Sequence, residues 1–411
     1  MSRVVITGMG VISPLGNNVE TFWSHLVEGR SGISLIDTID VSHSKTKIAG
    51  IVHDFDPESR WGRKEARKMD RFCQFALAAA EQAFEDSQLQ LDKIDRERFG
   101  VYIGSGIGGI NTLIDNVNLL NERGPGRVSP GLVPMMISNA AAAQISIRFG
   151  ALGPSLSPVT ACSIGNTSIG EAFNIIRNGE ADVIFAGGAE AAITNLSLAS
   201  FGNATALSMR NEEPTLASRP FDAKRDGFVM SEGAGIVVLE SLDHAVRRGA
   251  QIYSEVIGYG ASSDAYHMVA THPEGNGAFS AMKNALMKAN LSADEVDIIS
   301  AHATSTQVGD LSETLAIKRL FGEYAYQIPT TANKSMLGHM LGAAGGAEAI
   351  ALVKTLRHGI VPPTINLENP DPECDLDYVS EGARHVSLEI GLSNSFGFGG
   401  HNSAIVLKRY E

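Results

Sequence analysis

Short apolar runs recur along the chain, and glycines commonly follow them. Runs rich in β-branched residues predict buried β-strands, and they lie at Arg3–Gly8, Gly100–Gly104, Asp182–Gly187, Gly235–Leu239, Val296–Ser300 and Ala404–Lys408. Between them, apolar residues recur at the three- and four-residue spacing of one helix face, and these patterns lie at Arg71–Phe84, Ile169–Ile176 and Ala349–Leu356. Strands that alternate with helices predict an α/β protein with largely buried sheets.

Two parts of the chain are weakly similar to each other. One predicted helix ends at Ile176–Gly179 and another ends on a similar pattern at Leu356–Gly359. A strand predicted at Gln251–Gly258 opens the second part, as a similar strand opens the first. We therefore predict two similar α/β halves, residues 1–250 and 251–411, packed as one unit. Two unrelated α/β segments are the alternative.

The composition of the chain indicates which kinds of molecule are not expected to be the main partner of the protein. The 411 residues are 44% hydrophobic and 19% charged, which is sufficient for a sizeable core. The 33 Lys and Arg against 46 Asp and Glu give a net charge of −13, which argues against nucleic acid or an anionic membrane as the main partner. Two long charge-free stretches, 128–147 and 149–170, carry prolines and asparagines, so we expect no membrane insertion. Three cysteines and no visible targeting segment lead us to expect a cytoplasmic protein.

Formal charge is missing from stretches that hold chemically capable side chains. Cys162 lies in the uncharged stretch between residues 148 and 171, where a strand-like segment meets a helix. A helix N-terminus favours a thiolate, which suits a nucleophile, but a free Cys is also often a small buried hydrophobe. Lys334 carries the only formal charge between residues 323 and 348. It is either a functional cation or a lysine whose amine reaches water.

Two histidines belong to the same group of candidates. His302 comes directly after the strand Val296–Ser300, and His339 lies five residues after Lys334. Each alone is more often structural, but with Cys162 they supply a nucleophile, candidate bases and hydrogen-bond donors. No His-Glu-x-x-His, paired Cys-x-x-Cys or calcium-loop spacing is present, so we expect no metal centre.

A glycine-rich loop follows the strand Gly100–Gly104. Gly104–Gly109 satisfies the G-x-G-x-x-G pattern of a dinucleotide site. Such a site also needs an acidic residue at the end of a second strand about 20 residues on, whereas here a helix at Asn111–Leu120 and the loop Arg123–Arg127 follow. We interpret the glycines as permitting close packing or forming a pocket wall. A nicotinamide-dependent oxidoreductase is the competing hypothesis.

A basic run, Arg60–Arg71, stands out in this acidic chain, with six positive and two negative residues in twelve. One interpretation is a solvated helix face. The other is a docking patch for an acidic partner, with Arg127 as a candidate neighbour.

Four motifs in this order resemble those of the type II 3-oxoacyl-acyl-carrier-protein synthases, the condensing enzymes of fatty acid synthesis. The motifs are Thr160–Ser163, His302–Thr306, Lys334–His339 and Gly397–Gly400. The resemblance implies a thiolase-like fold of two similar α/β halves in a five-layered α-β-α-β-α arrangement, acting as a homodimer. The second half would carry the histidines, the lysine and the C-terminal glycine-rich motif.

The resemblance also implies a role for each site residue. Cys162 would take the acyl chain from an acyl-carrier-protein thioester. Malonyl carrier protein would then lose carbon dioxide, and its carbanion would attack the acyl-enzyme to give 3-oxoacyl carrier protein, two carbons longer. His302 and His339 would assist decarboxylation and stabilise the enolate, with Lys334 as a supporting cation. The backbone N–H groups of Cys162 and Phe398 would form the oxyanion hole, and Phe398 would gate the thiol.

Substrate and partner contacts are implied in the same way. The acyl pocket would include Ile107, Phe201 and Leu341, and the pantetheine arm would bind Thr304 and Thr306. No cofactor is implied beyond the 4′-phosphopantetheine that arrives on the carrier protein. The basic surface that would dock the acidic carrier protein comprises Lys64, Arg67, Lys68 and Arg127.

Some positions depart from the commoner family pattern. Ala303 and Ser231 stand where glycine is usual, and threonine is common at the positions of Asn333, Leu337 and Val269. None of these changes removes a catalytic group. They leave open a paralogue that serves a specialised polyketide or branched-chain pathway. A non-catalytic chain-length partner is the remaining alternative, and an intact nucleophile argues against it.

Overall fold

Strands and helices alternate through the chain in the computed structural model, which describes residues 1–411. The strands are Val4–Ile12 (β1), Ile33–Leu35 (β2), Ile48–Gly50 (β3), Phe99–Gly104 (β4), Ser155–Leu156 (β5), Val183–Glu190 (β6), Gly233–Ser241 (β7), Ser254–Ser263 (β8), Ile298–Ser300 (β9), Thr330–Thr331 (β10), Ile360–Val361 (β11), Arg384–His385 (β12), Ile390–Gly397 (β13) and His401–Arg409 (β14). The helices are Val19–Val27 (α1), Pro57–Trp61 (α2), Arg63–Ala66 (α3), Arg71–Ser87 (α4), Ile110–Arg123 (α5), Leu132–Met136 (α6), Ala140–Phe149 (α7), Ile164–Arg177 (α8), Asn195–Asn203 (α9), Leu242–Arg247 (α10), Asn276–Ala289 (α11), Gln307–Phe321 (α12), Lys334–Leu337 (α13) and Ala344–His358 (α14). Each predicted strand and helix is present, and several extend beyond their predicted ends.

The sheet is built twice with the same connectivity. Its ten strands lie in the order β10-β9-β13-β14-β8-β1-β7-β6-β4-β5. From the centre outwards, each half has two antiparallel pairings followed by two parallel ones. If the five strands of each half are numbered along the chain, both halves arrange them in the order 1-5-4-2-3 from the centre to the edge. This repetition of topology confirms the prediction of two similar α/β halves.

Helices cover both faces of each half-sheet, which gives the predicted five layers. One core cluster packs α4 and α7 against the outer face of the first half, and another packs α11 and α12 against the outer face of the second. The largest cluster combines α8 and α14 with strands of both halves, so these two helices form the middle layer. Burial on both faces explains why the strands are apolar along their whole length rather than at alternate positions.

The middle helices cross at very close range. A Cβ atom at Gly165 on α8 would lie 2.3 Å from the Gly346 nitrogen on α14. Only glycine permits this approach of two backbones. Because α8 follows Cys162 and α14 follows His339, the crossing brings the reactive segments of the two halves together at the centre of the molecule.

The two other cysteines lie in the core clusters of the outer layers. Cys73 is a buried residue of α4, and Cys374 lies in a buried loop. None of the helices is both long and apolar enough to span a bilayer.

Candidate active site

Residues of both halves line one cavity of about 730 Å³. It brings together the side chains that the sequence singled out as chemically capable: Cys162, His302 and His339, with Phe398 beside them. The predicted pocket and tunnel residues also line it, and these are Ile107, Phe201, Thr304, Thr306 and Leu341. Lys334 does not line the cavity, and the four basic residues of the predicted docking surface do not either.

Cys162 lies at the entry to the central helix α8. A 3₁₀ turn, Ala161–Ser163, leads into the helix, which begins at Ile164. Ala161 has φ 51°, a left-handed conformation that costs a residue with a Cβ about 1–2 kcal/mol. Gly397 packs against this turn, since a Cβ there would lie 2.9 Å from the Cys162 nitrogen. The strained turn therefore presents the thiol to the cavity at a helix N-terminus, where the sequence placed it.

The expected preference for a thiolate is wrong for the resting site. Burial raises the pKa of Cys162 to about 11, and the charge of Glu190 also raises it. Lys334 and the backbone N–H groups of Phe398 and Cys162 act in the opposite direction, but the cost of desolvating an anion outweighs them. The resting residue is a thiol, so its proton must leave as the sulfur attacks.

The two histidine rings stand edge to face. Their centroids are 5.4 Å apart and their planes are at 87°. Burial lowers the pKa of both His302 and His339 well below the usual range, and the charge of Lys334 lowers both further. A neutral imidazole has one N–H donor and one acceptor nitrogen. The pair can therefore donate hydrogen bonds to a substrate oxygen, and it can also accept a proton.

Lys334 lies behind the histidines, at the start of α13. It is 1% exposed, and its Nζ forms an ion pair with Oε1 of Glu348, which is 1% exposed on α14. The alternative in which its amine reaches water is therefore wrong. The lysine acts on the histidines through its charge, and its paired carboxylate is what permits that charge to stay buried.

A buried carboxylate holds the backbone that carries His302. Glu313 accepts hydrogen bonds from the N–H groups of His302 at 2.9 Å and Ala303 at 2.8 Å. Asn394 Nδ2 donates to the same carboxylate at 3.0 Å. Ala303 has φ 36°, and this left-handed conformation is the physical reason that glycine is the usual residue there.

The next residues of that segment reach the cavity. The hydroxyls of Thr304 and Thr306 lie 3.1 Å apart, and both side chains line the cavity. Asp310 fixes the turn by accepting the N–H of Ser305 at 3.1 Å. Arg225, also buried, donates to the Thr306 carbonyl at 3.1 Å. The two hydroxyls are thus held by a buried ionic framework.

An aromatic cluster borders the thiol. The rings of Phe201 and Phe398 are 6.2 Å apart at 52°, and those of Phe201 and Phe228 are 5.5 Å apart at 77°. Phe398 lies in a turn of glycines, in which the Gly399 N–H donates to the Met268 carbonyl at 2.7 Å. The gate predicted at Phe398 is therefore connected by a hydrogen bond to the exposed loop that contains Met268.

The basic run is not one helix face. Gly62, with φ 77°, separates the short helices α2 and α3, and Arg71 begins α4 with its guanidinium bonded to Glu232. Lys64, Arg67 and Lys68 are exposed. Arg127 is also exposed, in the 3₁₀ turn Pro125–Arg127 that follows α5.

Buried carboxylates are the functional residues that the sequence interpretation missed. Glu190, Glu313 and Glu348 all lie within 1% of complete burial, and each holds part of the site. A signal was present for two of them. Glu190 is the only charge in its apolar strand, and Glu348 ends the charge-poor stretch that contains Lys334.

The chain matches two family descriptions that together span most of its length. Residues 1–245 match the beta-ketoacyl synthase N-terminal domain, and residues 253–368 match the beta-ketoacyl synthase C-terminal domain. The chain therefore belongs to the beta-ketoacyl synthase family. The class of protein that this defines is a condensing acyltransferase with a thiolase-like fold.

Full-length relatives narrow the comparison. The chain is 49% identical to 3-oxoacyl-[acyl-carrier-protein] synthase 2 of Synechocystis sp., covering 100% of this chain and 98% of the relative. It is 48% identical to the synthase of the same name from Staphylococcus aureus, covering 100% and 99%. Among solved structures, a beta-ketoacyl synthase from Burkholderia phymatum has a TM-score of 0.92 at 36% identity, with 100% of both chains covered. A type II polyketide ketosynthase solved in complex with its acyl-carrier protein has the same TM-score, identity and coverage.

Proposed function

We propose that this protein catalyses the elongation step of fatty acid biosynthesis, a decarboxylating condensation of an acyl thioester with malonyl-acyl carrier protein. The observation that carries the proposal is a thiol at a helix N-terminus that shares one cavity with two neutral histidines. The products are 3-oxoacyl carrier protein, carbon dioxide and free carrier protein. Identity of 48–49% to type 2 synthases, against 36% to the polyketide ketosynthase, favours fatty acid synthesis over a specialised pathway.

The first half-reaction forms the acyl-enzyme. The Cys162 sulfur attacks the thioester carbonyl, its proton leaves, and the carrier-protein thiol departs with a proton. The tetrahedral oxygen lies against the N–H groups of Cys162 and Phe398, and both of these act on the sulfur in the resting site. Donors fixed before the reaction stabilise the oxyanion without reorganising.

The second half-reaction joins the two carbon chains. Malonyl thioester loses carbon dioxide, and hydrogen bonds from His302 and His339 stabilise the enolate oxygen. The enolate carbon then attacks the acyl carbonyl on Cys162, and the cysteine sulfur leaves and takes up a proton to restore the thiol. Neutral histidines suit this role, because their N–H groups stabilise a developing oxyanion as hydrogen-bond donors. Burial keeps both histidines neutral, and the charge of Lys334 adds to that effect.

The carrier protein is the proposed source of both substrates. Its 4′-phosphopantetheine arm would enter past Thr304 and Thr306, whose hydroxyls face the cavity. We propose that no other cofactor takes part. The exposed basic side chains of Lys64, Arg67 and Lys68 supply charge complementary to an acidic carrier protein.

We also propose a homodimer. The last strand of the sheet, β5, has one edge unpaired. Residues 113–159, which include this strand, carry several exposed apolar side chains: Leu113, Val117, Leu120, Val133, Ile147, Leu152, Leu156 and Val159. An exposed apolar surface beside an open sheet edge is typical of an interaction site. Light scattering should give twice the mass of the chain, and Leu156→Glu should reduce this mass to that of a single chain.

The three free cysteines are consistent with a cytoplasmic location.

Intact-protein mass spectrometry tests the central proposal. The protein is incubated with acyl carrier proteins that carry chains of different length. A stable acyl adduct should form and should be absent in Cys162→Ala, while the buried-loop control Cys374→Ala should still form it. Condensation by Cys162→Ala at the wild-type rate would overturn the proposal.

A further inference from the structure

Glu190 is a buried carboxylate beside the reactive thiol. It ends β6, is completely buried, and lines the same cavity as Cys162. It has no ion-pair partner, and every group that contacts its oxygens is a hydrogen-bond donor. A buried charge with neutral partners is costly, so its retention in the site requires an explanation.

Four hydrogen bonds converge on this carboxylate. Oε1 accepts from the Ser105 hydroxyl at 2.8 Å and the Ile107 N–H at 3.1 Å. Oε2 accepts from the Gly106 N–H at 2.9 Å and the Gly342 N–H at 3.1 Å. All four partners donate and therefore favour the ionised form, although burial raises the pKa of the Glu190 carboxyl overall.

The glycine-rich loop after β4 thus binds an anion, and that anion is the protein's own Glu190 carboxylate. Successive backbone N–H groups form a concave cradle for an anion, and Gly106 and Ile107 do so here. A Cβ at Gly106 would lie 3.0 Å from Oε2, and one at Gly342 would lie 2.8 Å from it. A Cβ at either position would push against the carboxylate and displace it from these backbone N–H groups.

Two walls of the acyl pocket are joined by this contact. Ile107 follows β4 in the first half of the chain, whereas Gly342 follows Leu341 in the second half. Leu341 has φ 49°, so its wall is held in a strained conformation that a firm tie must maintain. The Glu190 carboxylate connects the loop that contains Ile107 to the loop that contains Gly342, because it accepts backbone N–H groups from both.

We propose that Glu190 is a positioning residue that sets the spacing of the Ile107 and Leu341 walls, and thereby determines which acyl chains Cys162 accepts. The inference rests on the proposed condensing function. Glu190 also acts on the thiol electrostatically, since its charge raises the pKa of Cys162. This second effect gives a readout that does not require synthase activity.

The test compares three variants with the wild type. Glu190→Gln keeps the shape of the side chain but replaces one accepting oxygen by an amide NH₂. That group cannot accept the backbone N–H groups that face it, so the hydrogen bonds on one side of the carboxylate are lost. Glu190→Asp keeps the charge but is too short to reach both loops. Glu240→Gln is the matched control, because Glu240 is equally buried and accepts from Thr7, His244 and Arg248 outside the cavity.

Acyl loading of Cys162 is measured with short and long acyl carrier proteins. We expect both Glu190 variants to change the long-to-short ratio of kcat/KM by about tenfold, the equivalent of losing roughly one charge-assisted hydrogen bond, and Glu240→Gln to leave it unchanged. An unchanged ratio in a folded Glu190 variant would overturn the proposal. If the wild type loads no chain at all, the proposed function fails rather than this inference.

Iodoacetamide alkylation of Cys162 supplies the independent readout. Glu190→Gln should raise the rate at pH 8 by about threefold or more, because removal of the nearby charge lowers the apparent pKa of the thiol. Glu190→Asp should keep the wild-type profile. If Glu190→Gln does not fold, Glu190→Asp still tests the walls through the loading ratio. Equal alkylation profiles for wild type and Glu190→Gln would show that the carboxylate is not charged beside the thiol.

Discussion

Replacement of His339 by glutamine tests whether the site histidines are neutral. In the unfolded chain a histidine binds a proton as the pH falls through about 6.5. In the folded protein burial keeps the pKa of His339 well below that value. Below pH 6.5 the unfolded state therefore holds more protons than the native state, and stability is lost as the pH falls.

The size of the effect follows from the linkage relation. A pH of 5 lies about 1.5 units below the pKa of a histidine in the unfolded chain. A histidine that stays neutral in the native state therefore lowers the free energy of unfolding by about 2 kcal/mol at this pH. At pH 7 the same cost is only about 0.2 kcal/mol. Asp310 and Glu348, whose pKa values are raised to about 7, change stability in the opposite direction. They are present in both proteins, so their contribution cancels in the comparison.

Urea unfolding at one protein concentration provides the assay. Between pH 7 and pH 5 the wild type should lose about 2 kcal/mol more stability than His339→Gln. His43→Gln, at an exposed position, should track the wild type. If His339→Gln and wild type change in parallel over this range, the histidine is not held neutral and the argument for its role as a neutral donor fails.

Three further predictions concern charge, strain and docking. Lys334→Met should lower the free energy of unfolding in urea by about 3–5 kcal/mol, because it leaves Glu348 buried without a partner. Addition of Glu348→Gln should restore most of this loss. A double variant that is as unstable as Lys334→Met would contradict the prediction. Ala303→Gly should raise the melting temperature, since relief of the positive φ, about 1 kcal/mol or more, outweighs the added freedom of the unfolded chain; a lower melting temperature would refute it. Lys64→Glu combined with Lys68→Glu should raise KM for acyl carrier protein about tenfold at low salt and leave transfer from a small acyl-pantetheine thioester unchanged, whereas equal effects on both substrates would indicate damage to the site rather than to docking.

Local sequence patterns predicted the α/β class and the candidate residues, and the family resemblance implied the layered fold and the reaction. A strand such as Val183–Glu190 is apolar because both of its faces are buried, and that pattern is visible without coordinates. Cys162, His302, Lys334 and His339 lie in short motifs whose order along the chain carries the family resemblance. Their identity as candidates depends on neighbours within a few residues.

Protonation and the supports of the site were decided only by tertiary structure. The helix N-terminus that favours a thiolate is local, but the burial that raises the pKa of Cys162 to about 11 comes from both halves of the chain. Glu190 contacts Gly342 across 152 residues of sequence. Desolvation and buried hydrogen bonds depend on which distant segments meet, and no local pattern specifies that. The sequence therefore determined which groups can react, and the packing of the two halves determined their charge and spacing.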